Sequence, residues 1–179
     1  MLEAMYELEE VWAQKLNAAL TEAQAAGRGD VADYLALRAT NDALRQTSVR
    51  WLFDSLMEIA SFANRGDGGA SVTVETENPY QFAFGNANLV GGRLSLRQGI
   101  RCLTLEAGWT RTPADGFMRG GALAAGRVAH FGISKHNTDL FLVLENNAPV
   151  WFSADKNGTR AAFDSRNLNH HFQVFLGTI

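Results

Sequence analysis

The chain has 179 residues, is 46% apolar and 20% charged, and carries a formal net charge of −3, values that are typical of one soluble globular domain. Its single cysteine, Cys102, excludes an intramolecular disulfide and leads us to expect a cytoplasmic protein. We expect no signal peptide, because the opening MLEAMYELEE is acidic, and no membrane span, because no apolar run approaches the required length of about 18 residues.

Residues 1–66 are predicted to be helical. Apolar residues recur at steps of three and four from Met5 to Ala23, and Gly27 ends this pattern. A second helical pattern runs from Asp30 to Asn64 without glycine or proline; unbroken, it would be roughly 50 Å long, more than a compact domain of this size spans. Either it breaks at the cap-type residues 40–42, which we slightly favour, or it protrudes and needs a partner, most simply a second copy of the chain.

From residue 67 the pattern changes to the alternation of β-strands. Apolar residues alternate with polar ones in Val72–Glu75 and again in Tyr80–Phe84. Gly91-Gly92 predicts a turn, and DLFLVLE at 139–145 is apolar on both faces, which is typical of a central strand. After the strands, Ser165 is expected to cap a short last helix that ends at a glycine.

Short connections between these strands require antiparallel pairing, because parallel strands need long crossovers. The sequence therefore predicts an α+β fold, in which two or three N-terminal helices pack on a curved antiparallel sheet of about seven or eight strands, followed by a short C-terminal helix. We expect residues 1–66 to form the helical region and residues 67–179 the β region, together making one compact domain. No βαβ unit is present for a nucleotide-binding glycine motif, and we expect no cofactor.

The charge is unevenly distributed. Residues 1–60 hold ten acidic and five basic side chains, whereas residues 91–136 hold seven basic and two acidic ones. The chain has 13 arginines and three lysines. Arginine prefers bidentate pairing with phosphate or carboxylate, which favours an anionic partner. A compositional bias of the genome towards arginine and alanine is the alternative explanation, and we consider it the stronger of the two.

The arginines of 91–136 supply the candidate binding residues. Alternation in RLSLR places Arg93 and Arg97 on one face of a strand, and the stretch GWTRTPADGFMRGGALAAG at 108–126 sets arginines among glycines, whose backbone can approach a ligand closely. Trp109 adds an aromatic surface. The candidate ligand-binding residues are Arg93, Arg97, Trp109, Arg111, Arg119 and Arg127.

The same residues also have a purely structural explanation. Residues 112–116 have a sequence that is typical of a turn. Asp115 could also form an ion pair with Arg111 or Arg119 and so stabilise the closed loop. The arginines on the strands could likewise pair with acidic residues of the N-terminal helices, within the fold or across a dimer. Both explanations stay open from the sequence alone.

The four histidines, His130, His136, His170 and His171, lack the spacing of a zinc site, and we expect no metal. His170 and His171 would point about 100° apart on the last helix, so they cannot share a ligand. No GxSxG motif is present, and no second acid is evident near Glu106. If the protein is an enzyme, the candidate general bases are His130 and Asp115.

We therefore expect a non-catalytic binding or interaction module, with an arginine- and glycine-rich surface that faces a small anionic ligand, and self-association through the N-terminal helices. Two alternatives stay open. One is a small enzyme that acts on a phosphate- or carboxylate-bearing substrate clamped by Arg111 and Arg119. The other is a single-stranded nucleic-acid-binding module, against which the net negative charge argues.

Overall fold

The computed structural model describes residues 2–66, 71–154 and 159–179, with the backbone alone for residues 2–9. Internal contacts divide the chain into two compact units, Met1–Thr47 and Ser48–Ile179. The boundary lies inside the second helix, so the second half of that helix belongs to the unit that contains the sheet. No helix of the described ranges is both long and apolar enough to cross a membrane.

Two helices occupy the N-terminal third of the chain, α1 (Leu2–Ala25) and α2 (Gly29–Arg65). α2 is continuous over 37 residues, so the break that the sequence favoured is not found. The cap-type side chains at that point bond to their own helix: Thr40 Oγ1 donates to the carbonyl of Ala36 at 3.0 Å, and Asp42 accepts from Arg45 at 2.6 Å. Because the helix itself satisfies these side chains, they do not end it.

One seven-stranded sheet follows, and the order of its strands in space is their order in sequence. Each neighbouring pair is antiparallel, as the short connections require. A last helix, α3 (Ser165–Leu176), completes the predicted α+β fold, which is confirmed. The strands are β1 (Thr73–Phe84), β2 (Ala87–Gln98), β3 (Arg101–Trp109), β4 (Ala124–His130), β5 (Thr138–Glu145), β6 (Ala148–Ala154) and β7 (Arg160–Ala162).

The glycine pair at 91–92 lies in the middle of β2, so the turn predicted there is wrong. The turn lies at Gly85-Asn86 instead. Gly91 faces Gly108 of β3, and a Cβ on Gly91 would run into the carbonyl oxygen of Ala107. A Cβ on Gly108 would be similarly crowded, 2.7 Å from the backbone of β2. Glycine inside a strand marks a bend or a close approach of two backbones, and here it allows β2 and β3 to approach each other closely.

Helices cover one face of the sheet, which we call the covered face. Trp151 of β6 donates its indole N–H to the carbonyl of Ser48 at 3.1 Å, which places the second half of α2 on this face. α3 lies on the same face, because His171 contacts His130 of β4. The fully buried large side chains of this core are Leu52, Leu56, Leu94, Leu96, Leu103, Leu105, Val128, Leu140, Leu142, Leu168 and Phe172.

Both ends of α3 are well capped. The side chain of Asp164, one residue before the expected cap Ser165, accepts hydrogen bonds from two backbone amides of the first turn. Gly177 ends the helix in a left-handed conformation, with φ 74°. Arg101 of β3 donates to the carbonyl of Phe175 at 3.3 Å, so its positive charge lies at the negative end of the helix dipole.

Candidate functional site

The other face of the sheet curls inwards, and we call it the concave face. Phe84 of β1 and Phe141 of β5 contact each other with ring centroids 5.5 Å apart, and the guanidinium of Arg127 on β4 lies 5.4 Å from the centre of the Phe84 ring. In a flat sheet β1 and β5 would lie about 19 Å apart, which is four strand spacings. Two phenylalanine side chains cannot span that distance, so the sheet curves strongly towards this face.

Small residues form the floor of the concave face. One row across the register has aromatic residues on both sides of three small residues. The three small residues are buried, so the part of this row that solvent reaches is the half-buried aromatic rings. From β1 to β7 the row is Tyr80, Gly91, Gly108, Ala125, Phe141, Phe152 and Ala162.

The connection between β3 and β4, residues 110–123, closes one end of the concave face, and we call it the β3–β4 loop. Its Met118 packs against a buried cluster of Phe82, Ala87, Leu89 and Ala125. The loop also lies against the β1–β2 turn, since a Cβ on Gly116 would stand 2.8 Å from the carbonyl oxygen of Asn86. This end of the concave face is thus filled by the protein itself.

A row of alternating charge crosses the concave face on five neighbouring strands. Each residue of this row stands directly opposite the next one in the strand register. Opposite charges placed face to face on adjacent strands stabilise the pairing of those strands. The charge row, from β1 to β5, is Glu77, Arg93, Glu106, Arg127 and Asp139.

Three of the predicted ligand-binding arginines are paired with acids, and the acids come from adjacent strands. Arg127 Nε lies 2.7 Å from Asp139 Oδ1 and Arg93 lies 3.7 Å from Glu77. Outside the row, Arg97 lies 3.2 Å from Glu75, near the far end of β2. These arginines are therefore paired internally, but with acids of adjacent strands and not with the acids of the N-terminal helices that the sequence suggested. Arg93 also donates to the Tyr80 hydroxyl at 3.2 Å.

Glu106, at the centre of the charge row, has a raised pKa. Burial disfavours its charged form and outweighs the attraction of Arg127 and Arg93, while Asp139 raises the pKa slightly further. No local sequence pattern singles out this carboxyl group, because its two arginine neighbours come from different strands. It is nevertheless the most central ionisable group of the concave face.

Asp115 organises the β3–β4 loop. Its carboxylate accepts from the backbone N–H of Arg111 at 2.9 Å and from the backbone N–H of Thr112 at 2.7 Å. These bonds lower the pKa of Asp115, the one to Thr112 most strongly. A carboxylate held in this way is a weak base, so the geometry favours a loop-forming role over the general-base role considered from the sequence.

Trp109 and Arg111 form a stacked pair at the start of the β3–β4 loop. The guanidinium carbon of Arg111 lies 3.9 Å from the centre of the Trp109 ring, which is itself buried. Such a cation–π contact is favourable for an arginine even without an anion. The structure therefore places these two predicted binding residues in contact. Their stacking holds the start of the β3–β4 loop in place.

Arg119 is the predicted binding residue that stays exposed, without an acidic partner among the described residues. Its Nε lies 3.7 Å from the position that a Cβ on Gly85 would take, so it reaches the β1–β2 turn. The next residue, Gly120, lies against Arg160 of β7, whose Nη2 is 3.0 Å from the corresponding Cβ position. The loop thus carries Arg119 and contacts Arg160, a residue that no local sequence signal singles out.

All four histidines of the chain lie in one cluster between the sheet and α3. His130 Nε2 and His171 Nδ1 are 2.9 Å apart and share a hydrogen bond, and both side chains are buried. The ring of His136 lies 5.8 Å from that of His130, and the ring of His170 lies 6.2 Å from that of His171. The prediction that His170 and His171 diverge agrees with this geometry, since only His171 reaches His130.

Burial and, to a smaller extent, the neighbouring histidines lower the pKa of both His130 and His171 to about 4. The pair is therefore neutral at pH 7, with one N–H placed between the two rings. Within the described side chains, no group of three or more histidine, cysteine or acidic residues is arranged to hold a metal ion. The cluster lies on the covered face, away from the aromatic floor.

No protein-family model matches the chain, and no curated protein or solved structure is significantly similar to it.

Proposed function

We propose that this protein is a non-catalytic binding module whose concave face takes a small molecule with a flat or chain-like apolar body. The observation that carries the proposal is the set of half-buried aromatic rings, Tyr80, Phe141 and Phe152, that share one row of the concave face. Concave, mainly apolar surfaces with a few polar groups are the usual form of small-ligand sites. The single free cysteine agrees with a cytoplasmic location for such a module.

A catalytic role has less support, because neither candidate base lies in the concave face. His130 points to the covered face and is hydrogen-bonded to His171, and Asp115 is held by backbone amides. Arg93 and Arg127 of the charge row are already ion-paired, so these two guanidinium groups are neutralised before a ligand arrives.

The test uses N-phenylnaphthylamine, a neutral dye whose fluorescence rises in apolar sites. We expect saturable binding to the wild-type protein, and Phe141→Ala should weaken it about tenfold, because the substitution removes one aromatic wall. Phe62→Ala is the matched control, since Phe62 is an exposed aromatic residue of α2. Thermal unfolding of each variant shows that the fold is retained. Binding that is absent, or equal in all three proteins, would contradict the proposal.

We also propose that the unit Met1–Thr47 joins two copies of the chain. Among its described side chains the buried apolar ones are only Ala23 and Ala32, whereas Tyr34 and Leu37 are 62% and 61% exposed. A pair of helices that buries so little apolar surface gains most from packing against a further helical surface. A second copy supplies that surface by symmetry.

A further inference from the structure

We infer that the ligand of the concave face is an anionic amphiphile, and that its oxyanion binds between Arg119 and Arg160 beside the β3–β4 loop. This inference rests on the proposed function and specifies the class of ligand. The apolar body would lie along the aromatic floor, and the anionic group would lie at the end of the site where the loop meets both edge regions of the sheet.

Arg160 faces the same side of the sheet as the charge row. Its register partner is Ala154, whose partner on β5 is Asp139, so Arg160 continues that row onto β7. It is exposed, and its Nη2 lies next to Gly120. Arg160 is therefore a guanidinium at the rim of the concave face.

Arg119 supplies the second guanidinium from the loop itself. It precedes Gly120 directly, and its Nε lies beside Gly85, which follows the concave-face residue Phe84. The curvature of the sheet is what allows one loop to lie near the β1–β2 turn and β7 together. An exposed arginine of the loop and an exposed arginine of β7, both next to Gly120, can hold a carboxylate or phosphate through several charge-assisted hydrogen bonds.

Two acids of the concave face and its loop are engaged by other groups. Asp115 accepts from the backbone of the loop, and Asp139 pairs with Arg127. No carboxylate of the described residues forms an ion pair with Arg119 or Arg160. Within the described ranges, Arg119 and Arg160 therefore offer two guanidinium groups without an ion pair beside an apolar surface, which suits an anionic amphiphile.

The experiment compares N-phenylnaphthylamine with anilinonaphthalene sulfonate, a dye of nearly the same body that adds a negative charge. We expect the wild-type protein to bind the sulfonate more tightly than the neutral dye, with an affinity that falls as sodium chloride is added. Arg119→Ala and Arg160→Ala should each weaken sulfonate binding about tenfold, as expected for the loss of one charge-assisted contact, and leave the neutral dye unchanged.

Arg97→Ala is the matched control, because Arg97 lies on the same face but is paired with Glu75 near the far end of β2. It should change the binding of neither dye. Arg119→Lys, which keeps the charge, should restore part of the sulfonate affinity. Displacement of the neutral dye by decanoate, decyl phosphate and decanol then distinguishes the source of the oxyanion, and we expect either anion to compete better than the alcohol.

The outcomes separate the two proposals. If neither dye binds, the proposed function fails and this inference fails with it. If the neutral dye binds but the sulfonate binds no more tightly, or if Arg119→Ala and Arg160→Ala weaken both dyes equally, the anionic site is wrong and the apolar site stands. Equal displacement by decanol and the two anions would lead to the same conclusion.

Discussion

Gly91 and Gly108 face each other in neighbouring strands at a point where neither can carry a side chain. A Cβ on Gly91 would overlap the backbone of Ala107, and packed backbone atoms cannot move aside as a flexible side chain can. These two residues therefore connect the sequence to the fold most directly, because they permit the close approach of β2 and β3 beneath the concave face.

We expect Gly91→Ala to lower the free energy of unfolding by about 3 kcal/mol or more, since overpacking against backbone is costly. Urea unfolding followed by circular dichroism measures this change. Gly29→Ala is the control: no atom lies within 4 Å of its Cβ position, and alanine favours helix more than glycine at the start of α2. A Gly91→Ala protein that is as stable as the wild type would show that the close approach of β2 and β3 does not depend on glycine.

At the scale of elements, α3 contacts β4 through the buried, neutral imidazoles of His171 and His130. A neutral pair, or a pair with one extra proton, keeps a hydrogen bond between His130 and His171. A second extra proton would place two N–H groups against each other at 2.9 Å and bury two like charges. The packing of α3 should therefore weaken in acid.

The direction of this effect follows from proton binding. Both histidines have a folded-state pKa of about 4, whereas the unfolded chain titrates near its ordinary value of 6.5. Between these values the unfolded chain binds more protons, so the stabilisation is complete above about pH 7 and is lost as the pH falls towards 4. For two groups the slope can reach about 2.7 kcal/mol per pH unit.

Urea unfolding between pH 7.5 and pH 5 tests this prediction. The double variant His130→Leu/His171→Leu should show a clearly flatter dependence of stability on pH, because it removes both groups at similar volume. His170→Gln is the control, since His170 is exposed and should leave most of the slope in place. An unchanged slope in the double variant would mean that carboxyl groups elsewhere cause the acid sensitivity.

Elements were easier to predict from the sequence than their pairings. The alternation in RLSLR correctly placed the leucines and the arginines of β2 on opposite faces, and short turns correctly gave an antiparallel sheet. Gly91-Gly92 was mistaken for a turn because glycine permits both a turn and a close approach of two strands, and only the register with Gly108 distinguishes them. The amino-acid pattern of one strand does not contain that register.

The candidate site shows the same limit. Arg119 was selected from its place among glycines, a local signal, but Arg160 lies in a three-residue strand and is brought to the loop only by the curvature of the sheet. The charge row requires the register of five strands at once, so Glu106 could not be assigned its two arginine neighbours beforehand. The histidine cluster likewise depends on how α3 packs against β4.

At the scale of the whole molecule, the two units differ in how they bury apolar surface. The unit Ser48–Ile179 has a core of leucines that are fully buried between helices and sheet, for example Leu52, Leu103 and Leu140. The unit Met1–Thr47 consists of α1 and the first half of α2. It leaves large apolar side chains such as Trp12 and Leu37 exposed. An exposed apolar surface on a helix pair is the usual mark of an interface.

We therefore expect the wild-type protein to sediment as a dimer at micromolar concentration, and Trp12→Ser combined with Leu37→Ser to convert it to a monomer by removing apolar area from the contact. Ile100→Ser is the matched control, because Ile100 is 93% exposed in the β2–β3 turn of the other unit. It should leave the dimer intact. A wild-type protein that stays monomeric at high concentration would contradict the self-association proposal and leave the concave face unaffected, since every residue assigned to ligand binding lies in Ser48–Ile179.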